Sequence, residues 1–227
     1  MFLFISNLAC VRGRLAAALV ALASVCCAAY AQTATPEKSL NVQLLEFAKR
    51  GDEARARNAL DAGAAPDSRN RAGETALYMF ARDGRLAAVV LLLERGASVD
   101  LAALDKTTPL MAAAVNGHTE VVRALINADA DIRATDQINK TALLYAASAG
   151  HVEAMDLVLD RGIDINARYK HDLTVLMWAA GNGKAATVRR LLERGAAPTL
   201  KDDRGKTAAD IARDNRFPEV VPLLAGS

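Results

Sequence analysis

The sequence is poor in the residues on which most protein chemistry depends. Its three cysteines, Cys10, Cys26 and Cys27, all fall within the first 31 residues. Beyond that point the chain can form no disulfide, offer no thiolate to zinc and use no thiol as a nucleophile. The three histidines, His118, His151 and His171, stand singly, with no HExxH or paired arrangement that would hold a metal. No serine occupies a G-x-S-x-G elbow, and no glycine-rich loop resembles a phosphate cradle. The chain is therefore read as non-enzymatic, with no catalytic residue, no metal and no cofactor. Aromatics make up only 4% of the residues against 52% hydrophobic ones, which points to packing by small and aliphatic side chains. An excess of charge is missing too. The 28 basic residues include Arg12 and Arg14 of the first segment, and without those two they equal the 26 acidic ones. A neutral mature chain has no electrostatic footprint for nucleic acid or an anionic membrane.

The first 31 residues read as a secretory signal peptide. Arg12 and Arg14 supply its positive region, LAAALVALASVCCAAYA (15–31) its apolar segment, and Ala29-Tyr30-Ala31 the small residues of a cleavage site. Cleavage is expected after Ala31, leaving a periplasmic or secreted product with no membrane attachment. Residues 32–39, QTATPEKS, read as a short disordered tail.

What the remainder has is a period. Threonine recurs at Thr75, Thr108, Thr141, Thr174 and Thr207, each 33 residues after the last. Glycine follows nine residues later at Gly84, Gly117, Gly150 and Gly183, and a second marker reads Gly96, Asp129, Gly162 and Gly195. Three markers locked to one period define an internal repeat. Its cores read TALYMFARDG (75–84), TPLMAAAVNG (108–117), TALLYAASAG (141–150), TVLMWAAGNG (174–183) and a degenerate TAADIARDNR (207–216). Second halves such as VVLLLERGASVD (89–100) and VRRLLERGAAPT (188–199) carry aliphatics at helical spacing. Each threonine is expected to cap a first helix, with Pro109 at the first helical position, and the glycines to end the helices.

This pattern resembles the ankyrin repeat. The resemblance implies an all-α solenoid of stacked helix-turn-helix units with projecting hairpin loops. The domain is expected over 40–227, with repeats at about 40–70, 71–103, 104–136, 137–169 and 170–202 and a C-terminal cap at 203–224. The family histidine after T-P-L is replaced throughout, by Tyr78, Met111, Leu144, Met177 and Asp210. Asp129 stands where the other repeats have glycine, at an expected cost of about 1 kcal/mol. Within the last unit, Pro218 suits a helix start, whereas Pro222 is expected to remove an intrahelical bond and weaken the helix beyond it. The recurrent acid-arginine neighbours Glu94-Arg95, Asp160-Arg161 and Glu193-Arg194 are read as a solvated ionic face.

The resemblance also implies a function, the binding of another protein through the concave side built from hairpin tips and first helices. Position by position, the candidates are Arg71 and Glu74, then Leu104, Asp105 and Thr107, then Gln137, Ile138 and Lys140, and finally Lys170, His171, Leu173 and Asn182. Leu104, Ile138 and Leu173 single themselves out because a tip in water has no structural need for a large aliphatic. Tyr145 and Trp178, equivalent positions one repeat apart, are either core residues or binding anchors. The Ala/Arg-rich composition points to a bacterial source. The sequence is thus read as a monomeric, exported scaffold for a periplasmic partner, the alternative being a secreted effector or enzyme inhibitor.

Overall fold

The computed structural model describes residues 39–225, so the expected signal peptide and nearly all of the polar tail lie outside the described residues. Ser39, assigned to that tail from sequence, instead caps the first helix by accepting the Val42 N–H. Among the described residues, twelve α-helices follow in six pairs. They are α1 (Leu40–Arg50) with α2 (Glu53–Asp61), α3 (Ala76–Arg82) with α4 (Leu86–Glu94), and α5 (Pro109–Val115) with α6 (Thr119–Asn127). Then come α7 (Ala142–Ala149) with α8 (Val152–Leu159), α9 (Val175–Gly181) with α10 (Ala185–Glu193), and α11 (Ala208–Asp214) with α12 (Val221–Ala225). Among the described residues there is no β-strand, only an isolated bridge between Arg69 and Thr75. Each first helix packs on the first helix of the next pair, and each second helix on the next second helix, giving two layers.

The period explains each step. The hydroxyls of Thr75, Thr108, Thr141, Thr174 and Thr207 accept the backbone N–H three residues on, at 3.1–3.4 Å. Each such cap is worth about 1 kcal/mol. Leu77, Leu110, Leu143 and Leu176 are fully buried between first helices. The pairs Ala113-Ala114, Ala146-Ala147 and Ala179-Ala180 are equally buried and keep those helices thin, whereas Phe80 fills the corresponding place in α3. The replaced family histidine finds two solutions. Met111 and Leu144 are simply buried and Tyr78 half-buried, while the Met177 sulfur and the Asp210 carboxylate turn back to accept the Thr174 and Thr207 N–H groups, at 3.4 and 3.0 Å.

The glycine that ends each first helix serves a second purpose. Gly117 has φ 72°, and an added Cβ there would stand 2.4 Å from the His151 ring of the next pair. That ring reaches across the junction to the Val115 carbonyl, with Nε2 at 3.1 Å, as His118 does to the Arg82 carbonyl at 3.0 Å. The G-H dipeptides are therefore ties between repeats.

Two expectations need correction. The arginines at the ends of the second helices do not pair with the acids beside them. Arg95 reaches Asp61 at 2.7 Å, and Arg194 reaches Asp160 at 2.6 Å and Asp156 at 2.8 Å, each on the preceding repeat. Arg161 likewise meets Asn127. The charged layer thus stitches neighbours together, because equivalent positions on stacked helices lie closer than the sequence separation suggests. Pro222 is the second. It sits in the first turn of α12, where its missing N–H has no bond to lose, and Pro218 lies in the turn before.

Candidate functional site

Five hairpins project between the second helix of one pair and the first helix of the next. Each is closed by a backbone bond between residues four apart: Asn70 to Glu74, Ala103 to Thr107, Asp136 to Lys140, Tyr169 to Leu173 and Asp202 to Lys206, at 2.9–3.1 Å. Asn70, Asp136 and Asp202 add a side-chain oxygen that accepts the two N–H groups two and four residues on. These buried or half-buried oxygens hold the tips rigid without constraining what the tip side chains are.

On this frame the candidates fall into three groups. Arg71, Leu104, Asp105, Gln137, Ile138, Lys170, His171 and Asn182 are exposed, with Leu104 at 67% and Ile138 at 57% the most exposed large apolar residues described. Gln137 donates its Nε2–H to the Leu104 carbonyl at 2.8 Å, which sets these two tips side by side. A second group is engaged locally. Glu74 is half-buried, pairs with Arg82 at 3.2 Å and accepts from Asn70 at 2.7 Å. Thr107 is tied to Asp105, whose carboxyl it holds below the usual range by donating both its hydroxyl and its N–H. His171 pairs with Asp203 of the next hairpin at 2.9 Å. Leu173 is the correction. It is half-buried against the core, as Glu74, Thr107, Lys140 and Lys206 are half-buried at the same place before their capping threonines, and it is not an exposed aliphatic like the other two.

The third group forms a cluster. Tyr145 and Trp178 are half-buried on α7 and α9, neither wholly core nor wholly free. The Lys140 ammonium lies 4.4 Å from the Trp178 ring centroid and 5.3 Å from that of Tyr145. Such contacts favour the cation by roughly 0.5–1 kcal/mol at exposed sites. Tyr145 donates its hydroxyl to the buried Asp136 carboxylate. Burial pushes the phenol pKa well up, and the Asp136 acceptor pushes it further. Asp136 went unnoticed in the sequence, although Asn70, Asp136 and Asp202 recur five residues before a capping threonine. The described residues contain no group of histidine, cysteine or carboxylate side chains able to hold a metal. No described helix is long and apolar enough to cross a membrane.

A row of rigid tips over thin first helices, uncharged in α5, α7 and α9, defines a class: a helical repeat protein whose working part is surface. Family models described as Ankyrin repeats (3 copies) match residues 44–136 and 92–169, and one described as Ankyrin repeats (many copies) matches 157–212. The chain belongs to the ankyrin repeat family, whose members generally mediate protein–protein interaction and are typically not enzymes. No curated protein matches it.

Proposed function

We propose that the protein is an exported binding module that holds a partner protein on the face made by its hairpin tips and first helices. The observation that carries this reading is the pair Leu104 and Ile138, two large aliphatics left in water on adjacent rigid tips. Backbone bonds fix those tips before any partner arrives, so association orders little and loses little entropy. A contact of about 800 Å² per side spans three or four repeats. Export rests on the leader: Arg12 and Arg14, the apolar run 15–31 and the cleavage pattern ending at Ala31. A periplasmic scaffold is the reading we adopt.

Affinity capture from periplasmic extract tests the face. Changing Leu104 and Ile138 to Asp should abolish capture while shifting stability by no more than about 0.5 kcal/mol, since both side chains are solvated. Undiminished capture by the double variant removes this face from consideration. Fractionation tests the compartment: protein recovered only from culture supernatant would replace the scaffold with a secreted effector.

A further inference from the structure

One junction between hairpins differs from the rest. Leu104 N–H donates to the Ala72 carbonyl, Gln137 N–H to Asp105 and Asp203 N–H to His171, at 2.9–3.2 Å, locking successive tips. The equivalent bond from Lys170 to Ile138 is missing among the described residues. A second lock is missing at the same place. Asp67, Asp100 and Asn166 accept an N–H from the next repeat through their side chains, but the residue of that series here is Arg133, which has no acceptor. Tyr169 stands where Asn70, Asp136 and Asp202 hold their tips with a side-chain oxygen. Ala103 lacks that oxygen as well, but only at Lys170–Asp172 does the tip wind into a 3₁₀ turn, with both His171 and Asp172 left-handed at φ 62° and 56°.

At this junction, still spanned by a Tyr169–Thr141 side-chain hydrogen bond, lies a cleft of about 230 Å³ lined by Ile138, Lys140, Lys170, Leu173 and Trp178, among others. That is smaller than the ~300–1,000 Å³ of small-molecule pockets and suits one or two inserted side chains. Its charge is one-sided: Lys140 and Lys170 line it and no carboxylate does. Neither lysine forms an ion pair with a described residue, and the buried Trp178 indole N–H has no acceptor. Two ammonium groups without a carboxylate partner therefore border a largely apolar slot.

Building on the binding-module reading, we propose that this cleft is the specificity pocket of the face, taking a partner segment in which a glutamate or aspartate adjoins an aliphatic residue. The carboxylate meets Lys140 and Lys170, and the aliphatic side chain rests on Ile138, Leu173 and the Trp178 ring. Trp178 is the only tryptophan in the chain, so its emission reports the cleft directly. Titration of the folded protein with the blocked tripeptide acetyl-Leu-Glu-Leu-amide should give a saturable change in that emission. The glutamine counterpart should bind on the order of fivefold more weakly. Lys170→Met, at an exposed position, and the double variant Lys140→Met/Lys170→Met should each reduce that preference, while Leu104→Asp should leave it intact. Absence of saturation, equal response to the glutamine peptide, or an equal response to inorganic phosphate each overturns the pocket. Capture that depends on Leu104 and Ile138 but not on Lys140 and Lys170 overturns it while leaving the broader reading standing.

Discussion

A single backbone angle shows how residue-level departures from the repeat act. Asp129 has φ 61°, the left-handed region that Gly96, Gly162 and Gly195 occupy at the same place in their repeats. A Cβ added at any of those glycines would meet nothing within 4 Å, so the position demands a conformation and leaves room for a side chain. The cost of Asp129 is therefore backbone strain without a clash. Asp129→Gly should stabilise the protein by about 0.5–1 kcal/mol, raising the thermal midpoint by roughly 1–4 °C; circular dichroism melting checks this. The sequence exposed this cost because every other repeat supplied the reference residue. It could also have separated Leu173 from Leu104 and Ile138, because Leu173 directly precedes a capping threonine, as the half-buried Glu74, Thr107, Lys140 and Lys206 do. Spacing alone could not place Lys140 over the Trp178 ring, a contact between different repeats.

At the scale of the element, the two kinds of helix-ending glycine separate. Gly117 and Gly195 are both left-handed, at φ 72° and 88°. Only Gly117 lies under a ring, with His151 Nδ1 2.4 Å from an added Cβ. Gly195→Ala should cost the backbone term alone, about 1 kcal/mol. Gly117→Ala should cost about 3 kcal/mol, because the His151 ring must also leave its place against the Val115 carbonyl. Denaturant unfolding of both variants tests the order, and equal losses would show that the ring gives way freely. The helices themselves were readable in the sequence, since threonine, glycine and aliphatic spacing all agree on the same boundaries. The stitching of second helices by Arg95, Arg161 and Arg194 was not, because those partners lie one repeat away.

For the molecule as a whole, each pair of helices touches only its neighbours, so stability is transmitted along the stack and its ends fray first. The cap of the last first helix carries an acid-sensitive carboxylate. Bonds from the Thr207 N–H and hydroxyl, and then the Arg213 guanidinium, lower the Asp210 pKa to about 2. An unfolded aspartate titrates near ~3.9, so the contribution of Asp210 is complete above that value and is lost as pH falls toward 2. Hydrogen exchange at residues 208–225 should therefore accelerate between pH 5 and pH 3 relative to the central repeats, after correction for intrinsic rates. Asp210→Asn should flatten that difference; an unchanged profile would assign the acid response elsewhere.

The closure of each hairpin by its own main chain has one more consequence. Because Ala103 to Thr107 and Asp136 to Lys140 are joined through peptide groups, tip residues such as Leu104, Gln137 and Ile138 are free to change identity without loosening the turn, while the left-handed Lys106 and Asn139 are held to a conformation. Recognition and folding are thereby written in separate alphabets. A new partner can be acquired by altering a few letters at the tips, while the threonines, leucines and alanines beneath stay as they are.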